Sequence, residues 1–275
     1  VSRRRSGAGA GVGSGVEQGG GLLVLIDVGN TNTVFGVYRG DTLSASFRLS
    51  TVRERTSDEH AALVLPLFDR AGLDPADADA VVISSVVPPL HPTLERMARN
   101  VFNRSPVFIE PGIKTGLPIR YDNPTEVGAD RIVNSVAARE LYGTPVIVVD
   151  FGTATTFDVI NRAGEYAGGI IAPGIGISAE ALFAKASRLR RVEVKKPAHL
   201  IGRDTQSAMQ SGFYYGYIGL VDGILERLLE EMPGVDDVVA TGGQARMIAD
   251  GSQYITEVND LITLVGLKLI YERNR

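Results

Sequence analysis

Residues 23–37 read LVLIDVGNTNTVFGV, and residues 146–160 read VIVVDFGTATTFDVI. Setting Asp27 against Asp150 pairs Gly29 with Gly152 and Thr33 with Thr156, behind apolar runs of the same kind. Each stretch reads as a strand, an acidic residue, a glycine turn, a hydroxyl-rich turn and a second strand. A fainter match follows in the same order. Residues 81–87 carry Ser84-Ser85, and Val238-Val239-Ala240 runs into Thr241-Gly242-Gly243. Two matches in one order favour a duplicated unit over chance similarity.

Outward from these stretches the chain alternates short apolar runs with segments of helical period, the pattern of an α/β protein. Val81-Val82-Ile83 and residues 146–149 read as strands buried on both faces. Leu90, Leu94, Met97 and Val101 share one helical face, as do Ile132, Val133, Val136 and Ala137. Residues 1–21 differ: they are mostly Gly, Ser and Ala around Arg3-Arg4-Arg5, and such a segment cannot repay its ordering entropy. A disordered tail is expected there, with an organelle transit segment as the lesser alternative. A secretory signal would follow its arginines with an apolar stretch, and none is present.

The 275 residues are 44% apolar and 22% charged, a globular composition. With 28 basic and 32 acidic side chains the net charge is −4, so no positive field exists to hold a nucleic acid, and a small-molecule partner is expected. The absence of cysteine excludes disulfides and thiolate chemistry and fits a cytoplasmic location. No apolar run approaches the ~20 residues of a membrane-spanning helix.

A glycine after an acidic residue at a strand end lets the backbone turn tightly, so that successive N–H groups and hydroxyls can face a phosphate. Asp27 would stay close enough for Mg2+, which prefers carboxylate and water oxygens and bridges nucleotide phosphates. One Asp-x-Gly turn is most often an ordinary β-turn. Two in matching halves suggest a cleft gripping a nucleotide from both sides, and neither a GxxxxGK[ST] loop nor a GxGxxG motif is present. Between the halves, Gly128-Ala129-Asp130-Arg131 precedes the apolar helix face that begins at Ile132, so Asp130 and Arg131 fall in a first helical turn. An acidic residue there is favoured by the helix dipole, but an arginine is not, unless a phosphate or carboxylate offsets it.

Six motifs in order then resemble the signatures of type III pantothenate kinases. They are DVGNTNTVFG at 27–36, GADR at 128–131, DFGTATTFDV at 150–159, GGIIAPG at 168–174, IGRDT at 201–205 and TGG at 241–243. They span nearly the whole chain after residue 21, with no departure at a position that carries the reaction. The resemblance implies two duplicated actin-like (ribonuclease H-like) α/β domains around a nucleotide cleft, here 22–140 and 141–275, and a homodimer. It implies ATP phosphates on Asp27, Val28, Gly29, Asn30, Thr31, Asn32, Thr33, Val34 and Thr153, and a potassium or ammonium ion (K+ or NH4+) by Asp150. It implies pantothenate on Tyr121, Gly128, Ala129, Asp130, Arg131 and Thr205, with Asp130 as proton acceptor. The chemistry agrees: an alcohol attacking phosphorus must lose its proton, and a carboxylate within reach can take it.

Other features read as ordinary. His60, His91 and His199 show no ligand spacing. Arg188, Arg190, Arg191, Lys195 and Lys196 read as a solvated face. Gly212, Gly216, Gly219 and Gly223 form a stripe that permits close packing within or between subunits, beside Phe213, Tyr217 and Leu220. Two other functions stay open: a kinase of the same superfamily with another acceptor, which GADR and Tyr121 disfavour, and a non-catalytic regulatory relative, which should lack Asp27, Asp130 or Asp150.

Overall fold

The computed structural model describes residues 20–186 and 189–275. Nearly all of the expected tail, and Arg188 of the basic cluster, lie outside the described residues. The first sheet contains β1 (Leu22–Val28), β2 (Asn32–Arg39), β3 (Thr42–Ser50), β4 (Ala78–Ser85) and β5 (Val107–Phe108), ordered β3-β2-β1-β4-β5. The second contains β6 (Val146–Phe151), β7 (Ala154–Ile160), β8 (Tyr166–Pro173), β9 (Asp237–Gly242) and β10 (Glu257–Val258), ordered β8-β7-β6-β9-β10. The helices are α1 (Ser57–Arg70), α2 (His91–Phe102), α3 (Ala129–Tyr142), α4 (Ile175–Lys185), α5 (Thr205–Glu231), α6 (Ala245–Ala249) and α7 (Ile262–Glu272).

The duplication is visible strand for strand. β1 and β6 each pair antiparallel with the strand that follows and parallel with β4 or β9, the strands of the fainter sequence match. One detail of the alignment changes. Val28 pairs with Thr33 in the first hairpin and Phe151 with Thr155 in the second, so Thr33 corresponds to Thr155, not Thr156. The first turn is one residue longer, a gap that comparison of letters without the ladder does not reveal.

Strand parity sorts the core. Leu22, Val24, Ile26 and Val28 pack with α1 and α2 on one face of the first sheet, while Leu25 and Val82 face the other way. In the second sheet Ile147 and Val149 pack towards α5 and α6, and Val146, Val148 and Ile160 face the opposite side. Both opposite faces share one core with α3 and α7, which form a middle layer between the sheets. This explains why α3 is buried at every residue from Arg131 to Ala138 and not along a stripe alone. On α2, Leu94 and Met97 are buried as expected, but Phe102 takes the deep position and Val101 only borders that cluster.

The glycine stripe faces outward: a methyl group at Gly212, Gly216 or Gly219 would meet nothing within 4 Å. Phe213 and Tyr217, expected beside it on the surface, are buried within the chain, and Tyr215 is exposed instead. Among the described residues no helix is long and apolar enough to cross a membrane.

α3 and α7 approach closely where Gly266 lies against α3, since a methyl there would sit 2.1 Å from the Val133 carbonyl oxygen. Overpacking of this kind costs about 1–3 kcal/mol, so Gly266→Ala should lower the urea midpoint at unchanged m-value. An unaltered midpoint would show that the two helices can part without loss.

Candidate active site

The two hairpin turns meet. Thr31 Oγ1 lies 3.1 Å from Thr153 Oγ1, although the residues are 122 positions apart. In the first turn the Gly29 N–H donates to the Asn32 carbonyl at 2.9 Å, and in the second Gly152 donates to Ala154 at 3.0 Å. Asn30, Thr31, Asn32 and Thr153 are exposed at the tips. Val28 and Thr33 are buried in the ladder, and the Thr33 hydroxyl is engaged with Thr51 Oγ1 at 2.9 Å, so only their backbones remain for a ligand. The Gly174 N–H, at the start of α4, donates to the Thr153 carbonyl at 3.1 Å and fixes the second turn from beneath.

Behind the turns the carboxylates gather. Asp27 shares the parity of Leu25, Asp150 that of Val148 and Asp158 that of Ile160, so all three face the middle layer. Asp130 meets them from the first turn of α3, where Gly128 caps the helix without a side chain and the Arg131 N–H donates to Asp130 Oδ1 at 2.8 Å. Burial, then the charges of Asp130 and Asp150, push the Asp27 carboxyl up to about 7. Burial, then Asp130 and Asp158, raise Asp150 to about 7 as well. Burial also raises Asp130, against the opposing pull of the Arg131 N–H.

Two supporting residues, Asn134 and Asp158, escaped the sequence reading. Asn134, one turn after Asp130, donates its amide to Asp150 Oδ2 at 3.2 Å and accepts from the Thr263 hydroxyl of α7 at 2.7 Å. Asp158 accepts from Arg131 Nε at 2.7 Å, so the anion sought for that arginine is supplied in part by the protein. Only the helical spacing of Asn134 and the strand parity of Asp158 could have flagged them. Tyr121 lies beside Tyr166, ring centres 6.3 Å apart, and the Tyr166 ring centre in turn lies 5.9 Å from the Arg131 Cζ. Thr205 stands apart: it is exposed at the start of α5 and makes no side-chain hydrogen bond to these groups among the described residues.

The sequence profile of one family, type III pantothenate kinase, matches residues 23–227. The chain belongs to that family. Type III pantothenate kinases of Koribacter versatilis (strain Ellin345) and Myxococcus xanthus (strain DK1622) are 54% and 55% identical to it over 92% of this chain, covering 96% and 99% of their own lengths. The one from Halalkalibacterium halodurans is 54% identical over 92% of this chain and its own full length. Among solved structures, a Campylobacter jejuni protein assigned to a Baf family of transcriptional activators superposes with TM-score 0.56 at 21% identity, over 91% of this chain and 98% of that one. Component A of the Acidaminococcus fermentans (R)-2-hydroxyglutaryl-CoA dehydratase gives 0.52 at 14% identity, over 92% and 99%. At such identities these two speak for the actin-like fold alone.

A kinase of the type III pantothenate kinase family uses ATP, and the carboxylate layer suits the cations that accompany phosphates. Among the described residues no three His, Asp or Glu side chains stand together as a complete metal cage. A magnesium ion keeps several waters and takes one or two carboxylates plus substrate phosphates. His60 and His91 lie elsewhere, His60 buried on α1 and His91 stacked on Phe108 at 4.6 Å.

The raised carboxyls make stability depend on pH. The folded chain holds protons on Asp27 and Asp150 up to about 7, whereas the unfolded chain releases them near 3.8. Their contribution is therefore complete below about pH 4 and is lost as the pH rises through about 7. The ligand-free enzyme should show a falling Tm between about pH 4 and pH 7, and magnesium with ATP should flatten the fall. Scanning fluorimetry across that range checks it, and a flat ligand-free profile would refute the linkage.

Proposed function

We propose that this protein transfers the γ-phosphoryl group of ATP to the hydroxyl of pantothenate, giving 4'-phosphopantothenate in the first step of coenzyme A biosynthesis. The observation that carries the reading is the contact between the two matching turns, Thr31 against Thr153, with Asp130 behind them beside Asp27 and Asp150. ATP phosphates lie on the backbone and hydroxyls of residues 27–34 and on Thr153. Magnesium held near Asp27 supplies neutralising charge for them. Asp130 accepts the hydroxyl proton as the oxygen attacks phosphorus, and its raised affinity for protons improves it as a base near neutrality. Tyr121, residues 128–131 and Thr205 hold pantothenate. The division into units 22–140 and 141–275, and a cytoplasmic location, belong to the same proposal.

The test is ADP release with pantothenate against a panel of alcohols. Only pantothenate should support rapid turnover. Asp130→Asn should lower kcat by about 10²–10⁴-fold while leaving the KM for ATP nearly unchanged. Wild-type turnover in that variant would remove Asp130 from the mechanism.

Asp150 is the proposed site of a monovalent cation, because a carboxylate crowded by Asp130 and Asp158 needs compensation beyond the Asn134 amide. Replacing potassium or ammonium by a bulky organic cation should cost about 10²-fold in kcat, the scale of losing one electrostatic stabiliser. Full activity in such a buffer would contradict the assignment.

The working unit is a homodimer whose site needs both chains. The outward glycine stripe of α5, with Tyr215 beside it, offers a surface for close contact, and Thr205 stands apart from the rest of the acceptor site. Because a methyl group at Gly216 would meet nothing within 4 Å beyond its own helix backbone, Gly216→Leu should leave each chain folded while weakening the dimer by about 1–3 kcal/mol per chain. Sedimentation over a dilution series, read beside specific activity, checks it. A monomer fully active at every concentration would end the idea.

A further inference from the structure

Arg131 is 8% exposed, yet of its guanidinium groups only Nε finds an acceptor among the described residues, Asp158 Oδ1 at 2.7 Å. Nη2 is buried with no partner. An arginine carries five N–H donors, and leaving charged donors unsatisfied inside a protein is costly unless a ligand completes them. The side-on bond through Nε leaves the end of the fork, Nη1 and Nη2, without a protein acceptor. That geometry only persists if Asp158 is itself immobile, and it is. Asp158 is fully buried; its Oδ1 also accepts from the Tyr166 hydroxyl at 2.9 Å, and its Oδ2 accepts from Thr156 Oγ1 at 3.3 Å. The Tyr166 ring, also fully buried, lies under the guanidinium with its centre 5.9 Å from Cζ.

The strand opposite makes the space. Asp158 pairs with Gly169 across the β7–β8 ladder. A methyl at Gly169 would sit 2.5 Å from Arg131 Nη2 and 2.0 Å from the Phe157 carbonyl oxygen. The guanidinium therefore lies over a ladder position that only glycine leaves open, which gives the GGIIAPG stretch a task at the site.

We propose that Asp158, Tyr166 and Gly169 form a positioning socket that holds Arg131 by Nε and seats the buried Nη2 over Gly169, so that Nη1 meets an oxygen of the acceptor substrate. The proposal rests on the reading above that Arg131 binds pantothenate. Asp158 touches no reacting atom; it acts through Arg131.

Steady-state kinetics with pantothenate and with ATP separate positioning from general damage. Asp158→Asn should raise the KM for pantothenate by about 10- to 100-fold, the range of a lost charged hydrogen bond. The KM for ATP should stay within about twofold and kcat should change far less than KM. Tyr166→Phe, which keeps the ring and removes one bond to Asp158, should raise the pantothenate KM by about fivefold and stays informative if Asp158→Asn folds poorly. The double variant Arg131→Gln/Asp158→Asn should be no worse than Arg131→Gln alone. Wild-type pantothenate KM in both Asp158→Asn and Tyr166→Phe, or equal losses for ATP and pantothenate, would overturn the proposal. A substrate-free arm distinguishes its failure from failure of the pantothenate reading. In ¹⁵N NMR the Arg131 Nε–H of the wild-type protein should exchange slowly with water, and Tyr166→Phe should accelerate that exchange. An Nε–H that exchanges as freely as an exposed arginine's would dismiss the socket whatever the substrate proves to be.

Discussion

Like charge crowded around one helix end is the constraint from which the rest of this structure can be followed. Asp130 and Asp150 raise the proton affinity of Asp27, Asp130 and Asp158 raise that of Asp150, and Arg131 is paired with only one of the four among the described residues. Such a cluster is tolerable for two reasons. The N-terminal turn of α3 offers backbone amides and the positive end of a dipole, and the hairpin tips in front of the cluster, Asn30, Thr31, Asn32 and Thr153, are exposed. Pulling α3 away would leave the carboxylates to one another. This ties the burial of the whole turn from Arg131 to Ala138 to the chemistry and not to packing alone.

Duplication supplied the parts, and asymmetry gave them different work. In chain order α3 follows β5 as α7 follows β10, so the two helices of the middle layer are counterparts. One carries Asp130 and Arg131. The other has no acidic-basic pair in its first turn and instead presents Thr263, whose hydroxyl donates to Asn134 and so turns the Asn134 amide towards Asp150. The two hairpins diverge in the same way. The first turn has one residue more and displays Asn30, Thr31 and Asn32, whereas the second is shorter and fastened to the start of α4. Equivalent aspartates, Asp27 and Asp150, therefore stand behind unlike turns.

What was legible in the sequence was local. Both hairpins, the strands buried on two faces, the turn containing GADR and the duplicated order could be read because each depends on a few adjacent residues and on periods of 2 or 3.6. The remainder depends on contacts between distant residues. Asp158 stood inside a quoted motif, but its parity has meaning only once the face towards α3 is known. The bond from Thr263 to Asn134 spans 129 positions, and no pattern in either segment announces it. The glycine stripe was legible as a stripe and not as an exposed one, and Phe213 and Tyr217 could equally have faced in or out. The single-residue gap between the turns was invisible because both alignments keep Asp-x-Gly intact.

Asp130 and Arg131 are neighbours, and the step between them separates two tasks. Successive helical residues project roughly 100° apart, so side chains one residue apart cannot address the same wall of the cleft. Arg131 turns to β7 and β8, where Asp158 and Tyr166 hold it. Asp130 remains over β1 and β6, within the field of Asp27 and Asp150, its oxygen returned to the helix end through the Arg131 N–H. That N–H stabilises the ionised carboxylate, but burial outweighs it and raises the proton affinity of Asp130, while the side chain of the same Arg131 is pinned to the opposite strands. Moving either residue by one position would exchange the walls they face. The acidic residue would meet Asp158, and the arginine would lie beside Asp27 and Asp150.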